Sequence, residues 1–224
     1  MDSDAAADLY RGDKGREYHA QRAGGRSTRS QMVRRSYFED LSGPGDVLLD
    51  FGCATGEVVS GLPAKQRWGV EINELAAGEA RERLDRVAAS LSEIADASVD
   101  RLISFHAIEH VADPIGLFAE FRRVLRAGGT ARVIVPYESV FLNAAHRSWR
   151  PGDSDMHLFA WTPLTFGNAL FSAGLDVRQV RVTHWAGPGR LGSLLAPFGL
   201  RRAARWINAL RRGRLQIVAD FVRS

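Results

Sequence analysis

The sequence predicts an α/β domain organised on an open, mostly parallel sheet, and three observations carry that expectation. Short apolar runs of strand length alternate with helix-length stretches whose apolar residues recur every three to four positions. The first such run, Val47-Leu48-Leu49, leads into Asp50-Phe51-Gly52-Cys53-Ala54-Thr55-Gly56, an acidic residue followed by two glycines four positions apart. About 20 residues on, a second run, Arg67-Trp68-Gly69-Val70, also ends in a carboxylate, Glu71.

The turn cluster Ser42-Gly43-Pro44-Gly45 sets the start of the first strand. Gly52 and Gly56 let the backbone bend and let a ligand lie against the main chain. Their spacing is G-x-x-x-G and not the G-x-G-x-x-G that seats a pyrophosphate on a helix N-terminus, which argues against a nicotinamide or flavin dinucleotide. In an open parallel sheet, ligands sit beyond the carboxyl ends of the strands, and an acid ending the second strand can accept both hydroxyls of a ribose. Glu71 is the expected ribose clamp; the alternative is a solvated Glu at the start of the helix that follows.

Upstream, residues 1–41 mix charges evenly, and Ser30 to Leu41 reads as a helix with Met32, Val33, Tyr37, Phe38 and Leu41 on its apolar side. After Gly56 a short helix runs to about Gly61, and Asn73 is a good N-cap for a helix to about Arg86 with Glu79/Arg83 and Glu82/Arg86 as pairs four apart. Val87 to Ser90 is a brief third strand. Val99 to Phe105 is the fourth, and its end delivers His106-Ala107-Ile108-Glu109-His110 to the same end of the sheet as the glycine loop.

That pentad matches H-x-x-E-H, the inverted zincin pattern. A zincin carries it inside a regular helix with a third ligand downstream, whereas here it follows a buried strand and runs at once into Asp113-Pro114, a helix start. The metalloprotease reading is therefore rejected, and no metal site is expected.

Asp113 as N-cap and Pro114 as first helical residue open an amphipathic helix through Ile115, Phe118, Phe121 and Leu125, expected to stop at Gly128-Gly129. Thr130 to Val135 is the fifth strand, closed by Pro136. Residues 137–160 lack periodicity, and a long irregular insertion beyond a core strand is usually functional. Tyr137, Glu138 and His157 are its candidate acceptor-site residues. Thr162-Pro163 opens a helix with Leu164, Ala169, Leu170 and Phe171, stopped by Gly174. Strand six covers about Asp176 to Val182, and Leu215 to Val222 is the last strand, expected at an antiparallel edge.

Four stretches together resemble the class I S-adenosylmethionine-dependent methyltransferases: LLDFGCATG at 48–56, GVEIN at 69–73, ASVDRLISFHAIEHVADP at 97–114 and FRRVLRAGGTARVIVP at 121–136. The resemblance implies a Rossmann-like, doubly wound sheet of seven strands with an antiparallel last strand, an N-terminal helical cap over residues 1–41, and a methyltransferase domain over 42–224. It also implies S-adenosyl-L-methionine as cofactor, held by Asp50, Gly52 and Gly56 at the methionine end and by Glu71 at the ribose, with Cys53, Ala54 and Ile72 also in the cofactor site. Many members carry an Asp near the third strand for the adenine amino group. This chain has Ala88, Ala89 and Ser90 there, which leaves the adenine to Ser90, Leu91 or an unidentified group. Phe105 and His106 complete the expected cofactor wall. His106 faces cofactor and acceptor as a general base, with Glu109 and His110 assisting or holding the loop. In the N-terminal cap, Tyr18, His19 and Arg35 are the residues with the reach to touch the cofactor.

Composition bounds the rest. Length and 45% hydrophobic content suit one core with appendages, and the single cysteine, Cys53, excludes an internal disulfide framework and a cysteine metal cluster. The start of the chain lacks a signal peptide's basic and apolar regions, so a cytoplasmic protein is expected. The net charge of +4 is local: nine arginines and no acidic residue lie between Asp176 and Asp220. The segment 187–213, with Trp206 among its arginines, suits a membrane surface or a lid over the acceptor, and a solvated arginine face is the plain alternative. No nucleic-acid partner is expected, since no binding module is appended. A weaker likeness of DSDMHLFAWTP at 153–163 and of the basic insertion to sugar and cell-surface glycan enzymes places the acceptor hydroxyl or amine on a small molecule or glycan intermediate. The rival readings are a protein or nucleic-acid acceptor, or a non-catalytic binding protein on the same fold.

Overall fold

The computed structural model describes residues 7–22, 28–137, 157–184 and 215–224. Glu138, most of the expected acceptor insertion and all of the basic 187–213 insertion lie outside the described residues.

Seven strands form one sheet in the order β3-β2-β1-β4-β5-β7-β6. β1 (Val47–Phe51) lies between β2 (Gln66–Val70) and β4 (Val99–Phe105), parallel to both, with β3 (Arg86–Ala88) outside β2. β5 (Leu125–Pro136) continues the parallel set, while β7 (Leu215–Val222) runs antiparallel between β5 and β6 (Asp176–His184). This corrects the expectation that the last strand is the edge. Ile217, Val218 and Ala219 are successive and fully buried, as a strand covered on both faces requires, whereas β6 carries Arg178, Gln179, Arg181 and Thr183 and forms the rim.

Because neighbouring strand residues point to opposite faces, each buried run feeds two cores. Leu49, Leu102, Val133 and Ile217 join Leu117, Phe118 and Phe121 of α4 (Pro114–Val124) and Phe166 and Leu170 of α5 (Pro163–Ser172). Their sequence neighbours Leu48, Ile103, Ile134 and Val218 pack on the other face with Phe38, Val59, Leu62 and Ala80. Ala80 belongs to α3 (Glu74–Arg81).

Several boundaries move for local reasons. α3 stops at Arg81 because Arg86 is already paired with Trp68 in the sheet; the Arg83 guanidinium then bonds the Glu79 carbonyl and not its carboxylate. α4 ends at Val124, where Leu125 turns extended and starts β5 opposite Val99; Gly128, with φ of 74°, and Gly129 bow out as an irregularity within β5. After α1 (Gly12–Arg22), α2 spans only Thr28–Arg35, and turns from Ser36 to Leu41 drop Phe38 into the core. Met32 is 62% exposed, and on α5 Leu164 and Phe171 face outward while Phe166 and Leu170 are buried. Arg132 on β5 ties this turn to the sheet by pairing with Asp40 and with Asp220 of β7.

Candidate active site

The loop after β1 is shaped by close approach. Gly52 has φ of 75°, and a Cβ there would lie 2.4 Å from the Cβ of Ala107, so any side chain would collide with the segment leaving β4. The N–H groups of Gly52 and Cys53 both donate to the Val70 carbonyl, which pins the loop to the tip of β2. Gly56 has the same φ, but its open side faces Leu84 and it lies behind the loop, off the cavity wall. Its positive φ shapes the turn that closes the loop. Cys53 is buried, and a Cβ on Gly69 would lie 2.4 Å from its sulfur; burial pushes the thiol's pKa far up, so it fills space as an inert thiol.

Two carboxylates converge at these strand tips. Asp50 is 4% exposed, and burial, then the charge of Glu71, raise its pKa well above the usual carboxylate range. Burial raises Glu71 as well, opposed by the backbone N–H groups that it accepts. Its Oε2 takes the N–H of Ala54 at 2.9 Å and its Oε1 that of Asn73 at 2.8 Å. One side chain thus joins the loop after β1 to the loop after β2. The carboxylate keeps acceptor capacity for a ligand beyond these backbone bonds.

Both carboxylates line a cavity of about 870 Å³. Gly52, Cys53, Ala54 and Ile72 share that wall, and Ser90, Leu91, Phe105 and His106 continue it across the sheet. The Ser90 hydroxyl accepts from the Ser92 N–H, and Glu93 in return accepts the Ser90 N–H, so Ser90 caps the turn that begins at Leu91.

The N-terminal segment forms the roof. Tyr10, Tyr18, His19, Gln31 and Arg34 line the cavity opposite the strand tips. Asn73 holds the roof down: its amide donates to the Tyr10 and Gly15 carbonyls at 3.0 and 2.8 Å, while its carbonyl oxygen caps α3 through Ala76. His19 Nε2 lies 3.2 Å from Glu79 on α3. Arg35 is directed elsewhere, to the Glu57 carbonyl, and its neighbour Arg34 lines the cavity with its guanidinium 5.5 Å from the Phe105 ring centre. Nothing in the sequence singles out Tyr10, Gln31 and Arg34, because no periodicity marks them.

His106 adopts φ of 52°, rare for a residue with a side chain, and its ring stacks on Phe105 at 4.2 Å. Burial, then the charge of Arg34, push its pKa down to about 3, while the Gln216 amide works in the opposite direction. The ring is neutral at physiological pH, as expected, but a group with so low a pKa accepts a proton poorly. A neutral ring on the cavity wall can accept a hydrogen bond from a ligand.

His110 also lines the cavity, with Nδ1 2.9 Å from the Tyr10 hydroxyl. Glu109, Tyr137 and His157 do not: Glu109 and His157 stand behind His110, and Tyr137 bridges to Trp161 at the end of β5. Residues 108–110 form a single 3-10 turn, so His106 and His110 are not presented on one face of a regular helix. That removes the local geometry of the inverted zincin.

Residues 49–133 match the methyltransferase domain family. Among curated proteins, a probable S-adenosylmethionine-dependent methyltransferase of Mycobacterium tuberculosis is 34% identical over 42% of this chain and 37% of its own length. A protein of a Streptomyces fradiae transposon is 32% identical over 38% of this chain and 29% of its own. This chain therefore spans about a third of the length of these curated relatives. Among solved structures, a putative methyltransferase of Haloferax volcanii, in complex with the Trm112 methyltransferase activator, superposes with a TM-score of 0.71 at 18% identity, over 97% of both chains. A phosphoethanolamine N-methyltransferase of Haemonchus contortus, bound to phosphomonomethylethanolamine and S-adenosylhomocysteine, gives 0.65 at 15% identity over 99% of this chain and 60% of the other. The geranyl diphosphate C-methyltransferase of Streptomyces coelicolor gives 0.56 at 16% identity over 88% and 75%.

Proposed function

We propose, from the premise that the chain carries a class I S-adenosylmethionine-dependent methyltransferase domain, that it transfers a methyl group to a hydroxyl or amine of a small molecule or glycan intermediate. The observation that carries the proposal is the convergence of Asp50 and Glu71, from adjacent strand tips, on one cavity closed by a loop that tolerates no side chain at Gly52. A buried pair of acids suits a ligand with an ammonium at one end and a ribose diol further along, and it repels a diphosphate.

In this reading Asp50 meets the methionine ammonium, Glu71 accepts the ribose hydroxyls, and Ile72 and Leu91 cover the adenine. When bound, S-adenosylmethionine supplies a methyl group already activated on sulfonium. The tasks left to the protein are to align the acceptor, exclude water and accommodate the proton that leaves it. His106, neutral and rigid against Phe105, orients the acceptor by hydrogen bonding, and the Tyr10–His110 pair faces the acceptor's polar group. The N-terminal roof excludes water. A small acceptor is supported by the acceptors in the names of two fold neighbours, phosphoethanolamine and geranyl diphosphate.

Calorimetric titration with S-adenosylmethionine tests the cofactor, with a nicotinamide dinucleotide as control. Transfer of labelled methyl to pools of sugars, amines, nucleic acid and protein tests the acceptor. Label appearing only in nucleic acid or protein would overturn the small-acceptor reading, and cofactor binding with no label in any pool would favour a binding role.

A further inference from the structure

We propose that Glu109, His110 and His157 form a binding site for a divalent transition-metal ion of the zinc type. The three residues come from two separate segments, the turn after β4 and the stretch before α5, yet one donor atom from each lies within 4.8 Å of the others. Glu109 is the centre of the group, with its side chain 1% exposed, while those of His110 and His157 are 14% and 27% exposed.

The geometry is that of donors set around a common point. Glu109 Oε1 lies 3.9 Å from His110 Nε2 and 4.0 Å from His157 Nε2, beyond hydrogen-bond length in both cases. A zinc ion at about 2.0–2.1 Å from each donor places neighbouring donors roughly 3.4 Å apart. Closing onto an ion asks for a contraction of roughly half an ångström for each of these two pairs, within reach of small turns of two partly exposed rings.

Two supporting contacts point the donors inward. The Tyr10 hydroxyl engages His110 Nδ1 at 2.9 Å, which leaves Nε2 as the nitrogen facing Glu109, the arrangement that a ligating imidazole takes when its second nitrogen is anchored. The Leu158 N–H donates to the Glu109 carbonyl at 2.8 Å and so holds His157 alongside. Two imidazoles and one carboxylate favour zinc or a neighbouring first-row ion over magnesium or calcium, which take oxygen donors. Three protein ligands leave one position open. Ion binding stands independently of the methyl-transfer reading.

The test is metal binding by the untagged full-length chain, stripped with chelator and titrated with zinc against a chromophoric competitor. The expected result is one ion per chain, with affinity lowered about 10–100-fold or more in His157→Ala and Glu109→Gln and less in Tyr10→Phe. Cobalt in the same site should give the visible absorption of a four-coordinate ion with nitrogen and oxygen donors. Absence of stoichiometric binding, or binding unchanged in His157→Ala, would overturn the proposal. Since Glu109→Gln alters a buried group, His157→Ala, checked for native circular dichroism, is the deciding variant. S-adenosylmethionine titrated into metal-free protein reports separately on the methyltransferase reading, so the two proposals fail by different measurements.

Discussion

The Glu71 carboxylate at the tip of β2 accepts the backbone N–H of Ala54, 2.9 Å away in the loop after β1. The residue assigned to the ribose is therefore also the brace that shapes the neighbouring loop, and both tasks depend on its charge. Glu71→Ala should weaken S-adenosylmethionine binding by about 1–3 kcal/mol, the cost of lost hydrogen bonds to a charged group. Calorimetry reads this directly, and an unchanged affinity would remove Glu71 from the ribose.

Gly52→Ala tests the close approach at the same loop. A left-handed backbone costs a side-chain-bearing residue about 1–2 kcal/mol, and the added Cβ also meets Ala107. The variant should unfold at lower urea concentration than the parent and bind the cofactor poorly. Gly128→Ala is the control: it has a similar φ and nothing within 4 Å of the added atom, so it should show the backbone cost alone.

Asn73 caps α3 and pins the roof with one side chain. Replacing it with Ala should cost about 0.5–2 kcal/mol through the lost cap. It should also raise hydrogen exchange across α1 more than across β1 or β4, because the Tyr10 and Gly15 carbonyls lose their anchor. Equal exchange in α1 before and after the change would mean that other contacts hold the roof.

Asp50 supplies a pH signature. Its pKa is raised in the folded state, so its contribution to stability is fully present below the unfolded value, about 4, and is lost as pH rises through the folded value. Urea unfolding across a pH series should show this decline in the ligand-free protein, and Asp50→Asn should flatten it. A cationic ligand that draws the carboxylate into its ionised form should release protons on binding, measurable as a dependence of the binding heat on the buffer's ionisation enthalpy.

Much of this architecture is written locally in the chain. The apolar runs of β1, β4 and β7, the Asp113-Pro114 and Thr162-Pro163 starts and the Asn73 cap all name their structures, because each depends on neighbours within a few residues. The strand-tip half of the cavity is legible for the same reason. The roof is not, since Tyr10, Gln31 and Arg34 acquire their position from packing against distant elements. The low pKa of His106 is equally hidden: it arises from burial and from Arg34, 72 positions away in the sequence. The edge assignment of β7 fails because it follows chain order, whereas the unbroken apolar run of β7 and the polar residues of β6 accord with the inner and rim places that the pairing gives them.

That pairing has a consequence for assembly. β6 precedes β7 in the chain, yet the slot between β5 and β6 belongs to β7. While Leu215–Val222 is still absent, during synthesis or after a cut, the inner edge of β5 presents unsatisfied main-chain groups, and a premature β5–β6 union would have to be undone before the correct one could form. Closure of the sheet thus waits on a strand that leaves the ribosome after both of its neighbours, which makes the docking of Leu215–Val222 the natural place to look for a slow phase in refolding.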